Sequence, residues 1–247
     1  MSKAYLLEVK NLKKYFGGVK AVDDISFKVS RGEKIGIAGP NGAGKTTLIN
    51  LISGYLLPTD GKIVYENKNI VNIPLIERVS MGIVRSWQLP QLFESFTVEE
   101  AIITSILVRK GKLYNIWKNV EALSDIIQEA IELSSLFSLG ETKLVKELSE
   151  GERKLLDVAL SFALQPKVLL LDEPTSGVSS EEKFDIMDNV LRIVSEKNIT
   201  TLVIEHDLQI LQKYFPRLMF MSEGKIIADG PAETVFKDER VREMLEG

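Results

Sequence analysis

The chain has 247 residues, 45% of them apolar and 27% charged, the balance of a globular fold with a sizeable core. Its net charge of -4 supplies no overall basic surface, so no nucleic-acid partner is expected. The absence of cysteine excludes disulfides, thiolate metal sites and cysteine nucleophiles, and the longest nearly apolar run, 101–108, falls far short of the ~20 residues that a membrane helix needs.

Short β-rich runs open the chain: residues 5–10 and 25–29 read as strands, 34–38 as a buried strand and 62–65 as another. From about Thr97 to Leu164 the texture is helical, with Leu123, Ile127, Ile131 and Ser134 at steps of three and four. Strands return at 168–171, 201–204, 218–221 and 225–228 with helices between them, and Gly230-Pro231 fits a stop followed by proline at the first position of a new helix. This alternation predicts one α/β domain over 1–247, in which a core from 1–90 and 165–247 is interrupted by a helical lobe at 91–164.

GPNGAGKT follows the apolar strand KIGIA and precedes the helical run TTLINLIS. In that context Gly39, Pro40, Asn41, Gly42, Ala43 and Gly44 read as a loop whose backbone N–H groups face phosphate oxygens, with a helix N-terminus adding its positive dipole end. Lys45 would reach the β- and γ-phosphates of a nucleotide, Thr46 would put its hydroxyl on Mg2+, and Thr47 would add an α-phosphate contact. The run KVLLLDEPTSG then delivers Asp172 and Glu173 to the carboxyl end of a buried strand, where open α/β sheets bind ligands. Asp172 suits a Mg2+ shell and Glu173 a general base for an attacking water; a plain polar turn at Asp-Glu-Pro is the ordinary alternative.

Two further stretches are ambiguous on local grounds. In KELSEGERKLLDVALSFAL, Ser149 is placed to cap a helix with Leu155, Leu156, Val158, Ala159 and Phe162 on its apolar face, and Gly151 admits a close backbone approach; an ordinary capped helix has the same features. His206, in TLVIEHDLQ, is the only histidine, and a lone imidazole after an apolar run is by itself more often a satisfied core side chain.

Taken together, these motifs and their order resemble the ATP-binding cassette (ABC) ATPases over nearly the whole chain. The resemblance implies a P-loop NTPase core of the RecA-like kind, with an N-terminal antiparallel β-subdomain and an inserted helical lobe. It makes LSEGE the signature, whose Ser149 and Gly151 close in trans over the γ-phosphate held by a second cassette. It makes Gln88, in RSWQLPQLF, the Q-loop residue that senses Mg2+ and nucleotide, Phe16 the aromatic that stacks on adenine, and His206 the switch histidine that donates to the γ-phosphate. For Phe16, packing within a β-hairpin is the ordinary alternative.

YFGGVKAVDDISFKV, GIVRSWQLPQLFESFTVEEAI and VIEHDLQIL look like the ATPases of branched-chain amino acid importers, with the lipopolysaccharide-export ATPases as nearest competitor. Either implies transmembrane permease subunits docked near Gln88, a second ATPase subunit, an indirect solute receptor for an importer, and a peripheral place on the cytoplasmic face of the membrane. A non-transport cassette or a P-loop kinase or G protein fits less well, the latter having no need of Ser149, Gly151 or His206. Two departures from the family pattern stand out: Glu152 replaces the usual glutamine, where a carboxylate near phosphate would repel it and weaken self-pairing, and Ser179 stands where many members have aspartate.

Overall fold

The computed structural model describes residues 5–86, 94–111 and 120–246. In chain order the first elements are β1 (Leu7–Phe16), β2 (Val19–Val29), β3 (Lys34–Ala38), α1 (Lys45–Ser53), β4 (Asp60–Tyr65), β5 (Lys68–Asn69), α2 (Leu75–Ser80) and β6 (Ile83–Arg85). Then come α3 (Val98–Arg109), α4 (Val120–Leu136), α5 (Glu150–Ala163), β7 (Val168–Asp172), α6 (Ser180–Glu196) and β8 (Thr200–Ile204). The last are α7 (Leu208–Tyr214), β9 (Arg217–Ser222), β10 (Lys225–Pro231), α8 (Ala232–Val235) and α9 (Glu239–Glu246).

They divide into two compact units, one from the described parts of Met1–Arg85, Lys167–Glu173 and Val194–Gly247, the other from those of Ser86–Pro166 and Pro174–Ile193. This division differs from the expected one in sending 174–193 to the helical unit. The reason is visible at α5, where Lys154 Nζ donates to Ser176 Oγ at 2.9 Å and a Cβ at Gly151 would lie 3.5 Å from Glu182 Oε1.

In the first unit, an antiparallel sheet runs β2-β1-β4-β5, and a six-stranded sheet runs β10-β9-β3-β8-β7-β6, parallel except for β10. The hairpin of β1 and β2 reaches Phe16 and starts at Val19, well beyond the strands expected at 5–10 and 25–29. Asn11 and Asp24 sit at positive φ and the register slips between Val9 and Leu12, so β-bulges break the alternation on which a period-two reading depends. Leu7, Val9 and Leu12 share one core cluster with Ile35, Ile37, Leu48 and Ile52, none more than 1% exposed. Near the C-terminus β10 continues through Pro231 and the helix begins only at Ala232, contrary to the expected helical proline; β10 is an edge strand, where a residue without an N–H donor is tolerated.

Arg78 of α2 is fully buried in this unit and fixes the far end of α1. Its Nη1 donates to the carbonyls of Leu51 and Ile52 at 2.8 Å each, its Nη2 to Ile70 and Val71 at 2.6 and 2.9 Å, and its Nε to Ile73 at 2.8 Å. A cation at a helix C-terminus meets the negative end of the dipole, and all five donors of the guanidinium are used.

In the second unit α3, α4 and α5 pack on one another. Thr97 caps α3 through a reciprocal pair with Glu100, which supports the expected start of the helical stretch. Among the described side chains of α4 the buried positions are Ile126, Ala130 and Ser134, while Leu123, Ile127 and Ile131 are partly exposed. The apolar stripe is wide, and the expected set lay along one edge of it. Just beyond α4, Phe137 meets Phe162 of α5 edge to face, centroids 5.3 Å apart. Arg109 joins the helices, both Nη atoms bonding Glu129 at 2.7 and 2.8 Å and Nη1 also bonding the Ala163 carbonyl at 2.7 Å. The Arg109 guanidinium holds the Glu129 carboxyl below its usual range.

Candidate functional site

The loop after β3 is shaped by its own backbone neighbours. Gly39 (φ 137°) and Gly44 (φ 97°) lie so close to other strands that a Cβ would come within 2.0 Å of the Met221 and Ala21 carbonyl oxygens respectively. Between β9 and β10, the Gly224 N–H donates to the Ala43 carbonyl at 3.1 Å and the Gly224 carbonyl accepts from the Asp23 N–H at 2.8 Å. Gly44 begins α1 with no side-chain cap, so the first amides of the helix are directed at whatever anion occupies the loop. Lys45 is 6% exposed and curls over the loop, its Nζ donating to the Gly39 and Pro40 carbonyls at 2.7 and 2.9 Å. Burial pushes its ammonium down, and the carboxylates of Glu173 and Asp172 pull it back up.

β7 is buried from Val168 to Leu171, and its last residue, Asp172, is partly buried beside α1. Asp172 Oδ1 accepts from Thr46 Oγ1 at 3.5 Å and Oδ2 from Arg85 Nη2 at 2.8 Å. Glu173 holds a left-handed backbone (φ 52°), and its N–H is tied to the Ile204 carbonyl at 3.0 Å. A non-glycine residue held there costs of order 1–3 kcal/mol, a strain that concentrates at functional sites. Glu173 Oε1 lies 2.9 Å from His206 Nε2, each side chain about 40% exposed. His206 is held by its backbone N–H, which donates to the buried Glu205 carboxylate at 3.1 Å. The imidazole is therefore no core side chain.

Asn41, Gly42, Ala43, Gly44, Lys45, Thr46 and Thr47 line one cleft of about 630 Å³ together with Glu173 and His206. That is a volume suited to a small-molecule ligand. Gly39, Pro40 and Asp172 support the loop without lining the cleft. Phe16 does not line it either; it is 48% exposed at the hairpin tip with Lys14 Nζ 5.0 Å over its ring, while Gly18 and Val19 do line it. Lys20, Asp23 and Lys225 also border the cleft and escaped the sequence reading. Asp23 accepts from Tyr15 Oη at 2.6 Å and lies 3.4 and 3.9 Å from the two lysines; the Tyr15 hydrogen bond holds its carboxyl low. Lys225 stands more than two hundred residues from these partners, and no local pattern announces such a pairing.

Gln88 lies outside the described residues. Ser149 and Gly151 are in the second unit, at the N-terminus of α5. Ser149 Oγ accepts from the Glu152 N–H at 3.2 Å and Glu152 Oε2 accepts from the Ser149 N–H at 2.8 Å, a reciprocal capping box. Lys143 Nζ meets both Glu152 oxygens at 2.9 and 2.8 Å and, before the capping amide, is the main reason its carboxyl sits low. Glu152 is thus turned back on its own helix and paired with Lys143. Ser179 makes the same kind of pair with Glu182 at the start of α6, at 3.1 and 3.3 Å.

A phosphate loop between a central parallel strand and its helix, with acidic residues at the end of a parallel strand two places away in the same sheet, defines a P-loop NTPase. Residues 22–176 match the ABC transporter family, and the chain belongs to it: an ATP-binding cassette that hydrolyses ATP. It is 36% identical over 251 residues to the probable branched-chain amino acid transport ATP-binding protein LivG of Methanocaldococcus jannaschii, covering 98% of this chain and 97% of that one. It is 30% identical over 239 residues to the high-affinity branched-chain amino acid transport ATP-binding protein BraF of Pseudomonas aeruginosa, covering 93% of each. A crystal structure of a nucleotide-free ATP-binding cassette from an ABC transporter superposes with a TM-score of 0.87 at 34% identity, over 99% of this chain and 100% of that one. The ADP conformation of an ABC transporter cassette gives 0.87 and 34% over 99% of both chains.

Proposed function

We propose that this cassette powers the import of branched-chain amino acids, seated on transmembrane permease subunits at the cytoplasmic face of the membrane and paired with a second cassette. The observation that carries the hydrolytic part is the meeting of Glu173 and His206 at 2.9 Å in the cleft of the phosphate loop. The solute class is supported by the two relatives, both of which are branched-chain amino acid transport proteins by name. Among the described residues no helix is long and apolar enough to cross a membrane, which fits a subunit that depends on partners for the passage itself.

The loop amides and Lys45 would hold the β- and γ-phosphates, Thr47 the α-phosphate, and Phe16 the adenine ring. Glu173 takes the proton of the water that attacks the γ-phosphorus, a general-base role worth ~10²- to 10⁴-fold, as the bond to ADP breaks. His206 orients Glu173 and donates to a γ-phosphate oxygen. Ser149 and Gly151 close the site of the partner cassette, and Gln88 links the nucleotide to the permease. Thr46 Oγ1 and Asp172 Oδ1 offer hydroxyl and carboxylate oxygens of the kind Mg2+ takes, 3.5 Å apart. Bound there, Mg2+ would neutralise charge on the β- and γ-oxygens.

Affinity capture of the full chain from membranes, followed by reconstitution of the captured complex in vesicles with ATP, tests this reading. ATP-dependent uptake of leucine, isoleucine or valine is the expected result. Capture of a lipopolysaccharide-export complex, or uptake of a different solute class alone, would overturn it.

A further inference from the structure

Asp172 has one oxygen toward Thr46 and the other already engaged. Arg85 Nη2 donates to Asp172 Oδ2 at 2.8 Å while Arg85 Nη1 donates to Asn50 Oδ1, and the Arg85 and Asp172 side chains are only 10% and 16% exposed. The topology explains the meeting. β6 and β7 pair in parallel with Arg85 opposite Leu170, and Asp172, two residues on, shares that face of the sheet. α1 packs against both strands, and Asn50 follows Thr46 by four residues, on the same side of the helix. One planar guanidinium therefore ties β6, α1 and β7 together at the carboxylate that Thr46 contacts.

A carboxylate at the end of a strand would otherwise rotate about its side-chain torsions and present either oxygen, or both, to a cation. With Oδ2 fixed, only Oδ1 faces Thr46. The guanidinium also offsets the charge of Asp172 beside a cleft that Glu173 already lines, so the contribution of Asp172 becomes orientation more than added negative charge. Arginine suits the task where lysine does not, because the two contacts diverge from one rigid fork.

We propose that Arg85 is a positioning residue for the metal-facing oxygen of Asp172, setting how strongly Mg2+ enhances ATP binding. The proposal rests on the reading that Asp172 and Thr46 support Mg2+ beside ATP. Partners that orient a metal ligand typically change metal affinity by about 10- to 100-fold when removed.

The test measures ATP affinity of the full chain by calorimetry in EDTA and across a Mg2+ titration, with thermal melting as the check on folding. Arg85→Met should leave affinity in EDTA unchanged and raise the Mg2+ concentration for half-maximal enhancement by about tenfold. Arg85→Lys should restore only part of that loss. Asp172→Asn should reproduce it, and adding Arg85→Met to Asp172→Asn should change little, because Arg85 acts through Asp172. An equal loss with and without Mg2+, an unshifted half-point in folded Arg85→Met, or additive effects in the double variant would overturn the assignment. An unshifted half-point in Asp172→Asn would instead sink the metal reading of Asp172, and the role of Arg85 with it, while leaving ATP binding intact.

Discussion

Replacing Arg78 by methionine keeps much of the aliphatic volume and removes all five donors that close the end of α1. The Leu51 and Ile70 carbonyls retain amide donors from Gly54 and Ile73, whereas those of Ile52, Val71 and Ile73 lose a short contact at or beside the core. At ~1 kcal/mol per net hydrogen bond the five contacts amount to about 5 kcal/mol. Part of that is offset because a buried cation no longer has to be desolvated. A net loss of about 3 kcal/mol, or roughly 6–12 °C in melting temperature for a chain of this size, is the expected outcome. Burial alone pushes the Arg78 guanidinium down to about 10, still well above neutrality, so the residue that is lost is a cation. Arg78→Lys, with three donors and the charge kept, should fall between the two. The assay is thermal and urea unfolding followed by circular dichroism at pH 7; a melting temperature for Arg78→Met indistinguishable from the parent would refute the reasoning.

Glu173→Gln should bind ATP while losing on the order of 10²-fold or more in turnover, and near-normal hydrolysis would remove Glu173 from the role of base. His206→Ala should likewise bind ATP and hydrolyse it slowly; because the chain has one histidine, its imidazole NMR signals in the Glu173→Gln background should move with ATP and barely with ADP. Glu152→Gln should not raise turnover, and should cost on the order of 0.5 kcal/mol through the lost Lys143 pair; a gain in turnover would mean the carboxylate acts on phosphate after all. Because Lys143 and the Ser149 amide hold the folded Glu152 carboxyl below its usual 4.5, its contribution is complete above that value and disappears as pH falls through the lowered one. Urea midpoints taken down through the acid range should therefore drop less for Glu152→Gln than for the parent.

What could be read from the sequence was contiguous along the chain. KIGIA-GPNGAGKT-TLINL carries its own strand, turn and helix, and the four apolar residues before Asp172 announce a strand buried on both faces. His206 was legible only through resemblance, since a solitary imidazole after an apolar run has no distinguishing local chemistry. β1 and β2 were cut short because bulges at Asn11 and Asp24 scramble the period-two pattern. Arg85 and the Lys20, Asp23 and Lys225 group were invisible for another reason: they depend on which strands become neighbours, a property of register and sheet order. For Glu152 the signal was present, since Ser-x-x-Glu is the spacing of a capping box, but the structure had to choose between that local bond and a distant phosphate.

The place of β3 in the sheet bears on how the protein is made. β3 lies between β8 and β9, and the loop that follows it is bonded to the turn before β10. On a ribosome the whole GPNGAGKT segment emerges more than 150 residues before the strands that flank β3, so for most of synthesis its core strand has no partner on either edge. Pairings this distant form slowly and leave apolar strand edges open to wrong partners meanwhile. A nascent chain halted before Thr200 would carry every residue of the phosphate loop and still lack the Met221 and Gly224 backbone that helps to shape it. ATP protection of the nascent loop from protease should therefore arrive late and abruptly, with the emergence of Gly224, instead of growing in step with chain length.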